Sequence, residues 1–156
     1  MFPTNFLAIT RIGCQVEAGS KKRVLELLGS LLADTAPGFT QDGIFDRLLE
    51  RERLGSTGLG HGIALPHARM RDIDQAYGAF IQLSQGVDFD AVDGKPVDLL
   101  FALLVPEAAT QEHLQLLATL AGMFSNPDFC ASLRRATSPE DLLKQLIEHK
   151  LPPVEA

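Results

Sequence analysis

The chain has no tryptophan, one tyrosine and only two cysteines in 156 residues. Cys14 and Cys130 form no CxxC pair and are too few for a disulfide framework, so they read as buried, reduced thiols. No apolar run approaches the ~20 residues needed to cross a bilayer. Met1 to Phe6 carries Pro3 and Asn5 where a secretory leader would need a basic start and an apolar block. Together these absences predict a cytoplasmic protein with no membrane insertion. A Lys/Arg stripe is missing as well. At a net charge of -6 the chain lacks the cations that displace counterions from a phosphodiester backbone, which argues against nucleic acid as a partner. Its one basic cluster, Lys21-Lys22-Arg23, opens a helix and reads as a solvated face.

What is present fits one globular domain over residues 1–156, with 46% apolar and 22% charged residues. Alternation at Ile12, Cys14 and Val16 predicts a half-buried strand over Arg11 to Val16. Ser20 caps a helix whose apolar stripe is Val24, Leu25, Leu28, Leu31 and Leu32, ended by Pro37 and Gly38. Thr40 caps a second, with Ile44, Phe45, Leu48 and Leu49 inward and Arg51 near its C-terminal end. Four glycines between Gly55 and Gly62 predict a loop. Tyr77 to Leu83 and Val97 to Val105 read as strands, the second covered on both faces, with turns from Gly86 to Pro96 between them.

Helical spacing of Leu114, Leu117, Leu120, Ala121 and Phe124 predicts a helix from Thr110 to Phe124, broken by Asn126-Pro127. Two short helices follow, one from about Pro127 to Arg135 and one capped by Ser138 with Pro139 in its first turn. Residues 151–156 read as a frayed tail. The order of elements predicts an α/β sandwich with a sheet covered on both faces.

Four histidines, at 61, 67, 113 and 149, carry the candidate chemistry, and His149, near the chain end, reads as solvent-exposed. His67 follows Pro66, which predicts a stiff turn beyond a short strand. Neutral imidazole can attack phosphorus without an activating base, giving a phosphoramidate that passes the group on. On residue type alone a turn histidine is the simpler reading. His113 shares a helical sector with Leu117, Leu120 and Phe124, so it is either a bonded core histidine or, beside His67, a donor to a phosphoryl oxygen. Ser56, Thr57, Gly58 and Gly60 offer backbone N–H groups and hydroxyls that could surround a phosphate, or they form a plain flexible turn. Arg51 could supply the charge a dianion requires, or lie on the surface.

A zinc site is the rival use of His61 and His67, but no HExxH motif or Cys/His cluster accompanies them. Asp88, Asp90 and Asp93 lack EF-hand spacing and its closing Glu, so Asx-type turns explain them better.

Several stretches together resemble the enzyme IIA domains of the mannitol/fructose and nitrogen-regulatory class in the bacterial phosphoenolpyruvate-dependent phosphotransferase system. They are Arg51-Glu52-Arg53-Leu54-Gly55-Ser56-Thr57-Gly58, Gly62-Ile63-Ala64-Leu65-Pro66-His67, Val87 to Asp93, Pro96 to Pro106, and His113-Leu114. The resemblance covers nearly the whole chain. It implies a mixed sheet sandwiched between helices, with His67 as the phosphorylated histidine, Arg51 as the arginine beside it and His113 as the second histidine of the site. It also implies an HPr-like phosphocarrier as donor, target proteins regulated by phosphorylation state, and no cofactor or metal.

The Asp88-to-Pro106 wording is most similar to the nitrogen-regulatory branch. Some sugar-type members carry a carboxylate six residues before the phosphorylated histidine, where this chain has His61, a residue that reads as a spectator or an accessory to the site. A sugar component passing the group to a cysteine of a IIB partner is the alternative, and a binding domain that has lost phosphorylation is a third.

Overall fold

After a 3-10 turn at Ile9–Arg11 come strand β1 (Ile12–Val16) and helices α1 (Lys21–Leu32) and α2 (Gln41–Leu54). Three short strands follow: β2 (Gly58–Gly60), β3 (Ile63–Ala64) and β4 (His67–Met70). Two long strands, β5 (Tyr77–Val87) and β6 (Val97–Pro106), lead into α3 (Thr110–Phe124), α4 (Pro127–Arg135) and α5 (Pro139–Glu148). The structure, a computed structural model, describes residues 5–35, 38–108 and 110–149. The expected stop at Pro37 and the tail 151–156 lie outside the described residues.

Side-chain caps start the helices where the sequence places them. The Ser20 hydroxyl accepts from Arg23 N–H at 3.1 Å, Thr40 from Gly43 at 3.0 Å and Ser138 from Asp141 at 3.1 Å. Asn126 Oδ1 accepts from Asp128 and Phe129. Each such cap typically contributes about 1 kcal/mol by satisfying amides that the helix itself leaves unpaired.

The sheet has six strands in the order β1-β5-β6-β3-β2, with β4 also on β6. β5 and β6 pair antiparallel, whereas β1 on β5 and both β3 and β4 on β6 are parallel. The sheet is therefore mixed. Residues of β6 alternate between two cores: Leu99, Phe101, Leu103 and Val105 pack with α3 to α5, while Leu100, Ala102 and Leu104 pack with α1 and α2. Helices cover both faces, which explains why β6 is apolar at nearly every position. On the α3–α5 face, Phe80, Phe101 and Phe124 form a ring cluster with centroid separations of 6.1 to 6.3 Å. Aromatic contacts of this kind add about 0.5–1.5 kcal/mol each beyond area burial.

Several expectations need correction. The Gly55-to-Gly62 stretch is not all loop, because Gly58–Gly60 pairs with Ile63–Ala64 as a tight antiparallel ribbon. Glycine is required there by space: a Cβ at Gly58 would sit 2.9 Å from the Ala91 side chain. β5 runs on to Val87, past the expected turn at Gly86, because its register with β6 shifts between Gln82 and Val87 and pairing resumes at Val87. Leu114 is exposed rather than part of the α3 stripe, and His113, Leu120, Met123 and Phe124 are the inward residues. His149 is only half exposed, since its ring stacks on Phe129 at 4.0 Å. Cys130 is buried and Cys14 half-buried, and both are free thiols. Among the described residues no helix is long and apolar enough to cross a membrane.

Candidate functional site

β3 and β4 lie end to end along the same edge of β6, with Ile63 opposite Leu99 and His67 opposite Leu103. Pro66 interrupts this run because it has no N–H to give the ladder. Its carbonyl still accepts from Leu103 N–H at 2.9 Å, so the chain stays on the sheet while Leu65 turns away. Leu65 N–H donates to the Thr57 carbonyl at 3.0 Å, and its own carbonyl is freed for another partner.

That partner is His67, whose Nδ1 lies 2.9 Å from the Leu65 oxygen. A carbonyl only accepts, so Nδ1 carries the proton. On the other side of the ring, Arg51 Nε–H points at Nε2 from 3.2 Å, and a guanidinium only donates. Both bonds therefore select one neutral tautomer, with the lone pair on Nε2. Desolvation pushes the His67 pKa below its ordinary value; the Leu65 hydrogen bond opposes that, and Arg51 reinforces it. The ring is neutral and nucleophilic at pH 7. The expected turn histidine is in fact the first residue of β4, and the sheet supplies the stiffness that the sequence assigned to Pro66.

His113, on the first turn of α3, meets His67 edge-on with ring centroids 5.3 Å apart. It is 6% exposed, yet neither ring nitrogen has a hydrogen-bond partner among the described residues. A buried unsatisfied polar group typically costs about 1–3 kcal/mol, so this ring gains from a partner brought into the site. Burial, followed by His67, Arg69 and Arg51, pushes its pKa down to about 4. It too is neutral at pH 7.

The two rings open into a cavity of about 660 Å³ whose wall includes Arg47, Arg51, Arg53 and Arg69. Arg51 Nη1 is anchored on the Gly55 carbonyl at 2.8 Å, and among the described residues Arg51 forms no ion pair. Glu50 and Glu107 share the wall and Arg47 pairs with Glu50 at 3.9 Å, so the four arginines leave a net positive charge around the histidine pair of this acidic protein. Such a cavity suits a dianion: charge-assisted hydrogen bonds from arginine are roughly twice as strong as neutral ones.

The structure brings together three of the sequence candidates, His67, His113 and Arg51, and separates the others. Ser56 Oγ donates to the Phe89 carbonyl at 2.7 Å and accepts from Gly58 N–H. The Thr57 hydroxyl and amide both donate to the Glu52 carboxylate. Gly58 faces Ala91, and Gly60 faces Asp93. The two hydroxyls expected to surround a phosphate are therefore occupied by the fold. His61 lines a different cavity, with Arg134 and Asp98. Its backbone N–H bonds Asp93 at 2.9 Å and its carbonyl accepts from Arg134 at 2.8 Å. Among the described residues no group of three or more His, Cys, Asp or Glu could hold a metal ion. Asp88 and Asp93 make Asx turns to the amides of Asp90 and Lys95.

Sequence reasoning missed Glu52 and Lys21. Lys21 is no solvated cation: its Nζ sits 2.9 Å from Glu52, whose side chain is 2% exposed. The available signal was spacing, since Glu52 continues the buried stripe of Ile44 and Leu48 at intervals of four. Arg69, outward on β4, follows from the alternation that His67 begins.

Known proteins place this geometry in a family. The family model described as "Phosphoenolpyruvate-dependent sugar phosphotransferase system, EIIA 2" matches residues 5–149. A nitrogen regulatory protein of Pseudomonas aeruginosa is 50% identical over 133 residues, covering 85% of this chain and 86% of the relative. The crystal structure of nitrogen regulatory protein IIA-Ntr from Neisseria meningitidis superposes with a TM-score of 0.86 at 47% identity, over 90% of this chain and 96% of that one. The IIA mannitol structure from Escherichia coli shares the fold, with a TM-score of 0.73 at 23% identity over 90% and 98% of the two chains. The chain belongs to the EIIA 2 family of the phosphoenolpyruvate-dependent phosphotransferase system, among its nitrogen-regulatory members.

Proposed function

We propose that this protein is a regulatory phosphoryl carrier of the cytoplasm, charged on His67 Nε2 by an HPr-like phosphocarrier in a nitrogen-related relay. The observation that carries this is the pair of bonds fixing His67: Nδ1–H on the Leu65 carbonyl leaves the Nε2 lone pair facing an arginine-walled cavity. Similarity to nitrogen regulatory proteins supports the regulatory branch.

In the transfer, the Nε2 lone pair attacks the phosphorus of the donor phosphohistidine. The new N–P bond forms as the donor N–P bond breaks, and the donor nitrogen keeps the electron pair. No proton need move, because Nδ1–H stays on Leu65 and delocalises the positive charge of the substituted ring. Arg51 Nε–H, which rests on Nε2, transfers its bond to a phosphoryl oxygen. His113, neutral and unpaired, donates its N–H to another. The product carries about two negative charges that the resting site lacks. A target protein docking over this cavity and the exposed Leu54 at its rim meets a more positive potential before phosphorylation than after it.

The test is incubation with phosphoenolpyruvate, the first enzyme of the relay and its HPr-like carrier, with phosphorus and nitrogen NMR locating the bond. An acid-labile phosphoryl group on Nε2, absent from His67→Ala, is expected. No label on the wild type, or undiminished label on His67→Ala, overturns the proposal. The sugar-transport alternative shares the fold with IIA mannitol. It predicts rapid onward transfer to an acceptor cysteine, and failure of that transfer while a regulatory target binds would remove it.

A further inference from the structure

Glu52 takes no part in the transfer just described, yet it is the most deeply buried carboxylate near the site. It receives Thr57 N–H on both oxygens at 3.2 and 3.3 Å, the Thr57 hydroxyl, and Lys21 Nζ at 2.9 Å. Thr57, itself buried, offers its carbonyl to Leu65 N–H at 3.0 Å, and the Leu65 carbonyl receives His67 Nδ1–H at 2.9 Å. An unbroken relay therefore runs from the Glu52–Lys21 pair to the ring nitrogen opposite the nucleophile. The neighbouring residue on the same helical turn, Arg51, addresses the other ring nitrogen.

We infer that Glu52 is a positioning residue for phosphoryl transfer, fixing the tautomer and orientation of His67 through Thr57 and Leu65, with Lys21 anchoring the carboxylate. The inference rests on the carrier reading of His67. Its chemical logic is acceptor capacity. An ionised carboxylate can accept from the amide, the hydroxyl and the ammonium at once. The Glu52→Gln side chain keeps the shape but turns an amide NH2 towards one of these three donors. The 56–58 segment then loses its anchor, and the Leu65 carbonyl is no longer aimed at Nδ1.

The experiment reads the unphosphorylated protein first. With ring-15N histidine, the wild type is expected to show His67 as a single Nδ1–H tautomer, and Glu52→Gln to show a mixture. The rate constant for transfer from the phosphorylated carrier is expected to fall about ten- to a hundredfold, with half-saturation by the carrier unchanged. Glu52→Asp should restore part of the rate. Leu142→Ala, a remote core truncation, should lower stability without moving the tautomer. If Glu52→Gln does not fold, Thr57→Val, which removes one of the three bonds, is read the same way.

A single Nδ1–H tautomer with a wild-type rate in the folded variant overturns the inference, as does a tautomer shift of equal size in Leu142→Ala. The two readings fail separately. Label retained on His67→Ala with a shifted tautomer in Glu52→Gln ends the carrier reading and leaves Glu52 fixing the ring without a role in transfer, whereas label lost on His67→Ala with an unshifted tautomer ends only the relay.

Discussion

Two cavities flank the strands beside β6, each with a histidine and an arginine, and they have opposite chemistry. At the first, Arg134 forms two bonds of 2.9 Å with Asp98 and a third with the His61 carbonyl. Its charge is cancelled, and His61 contributes only backbone. At the second, Arg51 pairs with no carboxylate among the described residues and donates to the His67 ring itself. The contrast separates an arginine that holds a fold together from one that is available to an anion. Histidine-plus-arginine proximity is common to both; an unneutralised guanidinium and an oriented ring belong only to the second.

The comparison breaks if the two histidines behave alike. His67→Ala is expected to abolish phosphorylation completely, and His61→Ala to leave the labelling rate within about twofold, both measured by transfer from the phosphorylated carrier. Next in size, Arg51→Ala should slow transfer by about a hundred- to a thousandfold, the usual loss when a donor to transition-state charge is removed. Arg134→Ala should leave the rate unchanged and lower stability by about 1 kcal/mol in denaturant titration, the pair being partly exposed.

His113→Leu should slow transfer by about tenfold while leaving stability at pH 7 equal or higher, because an unpaired buried ring is replaced by an apolar side chain.

The most specific effect is on pH dependence. His113 titrates at about 4 in the folded protein and at about 6.5 when unfolded, so the unfolded chain binds its proton first as pH falls. The stability that neutral His113 carries is complete above about 6.5 and is lost as pH falls towards 4. His67, also lowered, adds in the same direction. The wild type should therefore lose up to roughly 3 kcal/mol more than His113→Leu across this window, as read by thermal melts.

Much of this was legible in advance because the strongest signals are local. Ser20, Thr40 and Ser138 start their helices through hydroxyls that reach amides three residues on, and period-two alternation or a continuous apolar run marks β1, β5 and β6. The family resemblance joined Arg51, His67 and His113, which no spacing rule could bring together across sixty residues. What stayed hidden depends on distant partners. Gly58–Gly60 has no strand propensity and pairs only because Ile63–Ala64 is held on β6. Lys21 and Glu52 look like surface charges until α1 and α2 are packed together. Ser56 and Thr57 were plausible phosphate ligands until the fold showed their hydroxyls already taken.

The missing rung at Pro66 has a consequence for mutational surveys. The acceptor that chooses the nucleophilic nitrogen is the Leu65 backbone oxygen, which no side-chain replacement can delete. Leu65→Ala keeps it. An alanine scan would return Arg51, His67 and His113, with Glu52 and Thr57 behind them, and pass over the atom that aligns the His67 ring. Backbone chemistry, such as an ester in place of an amide, would reveal it directly, and Glu52→Gln or Thr57→Val would reveal it through the bonds that aim it.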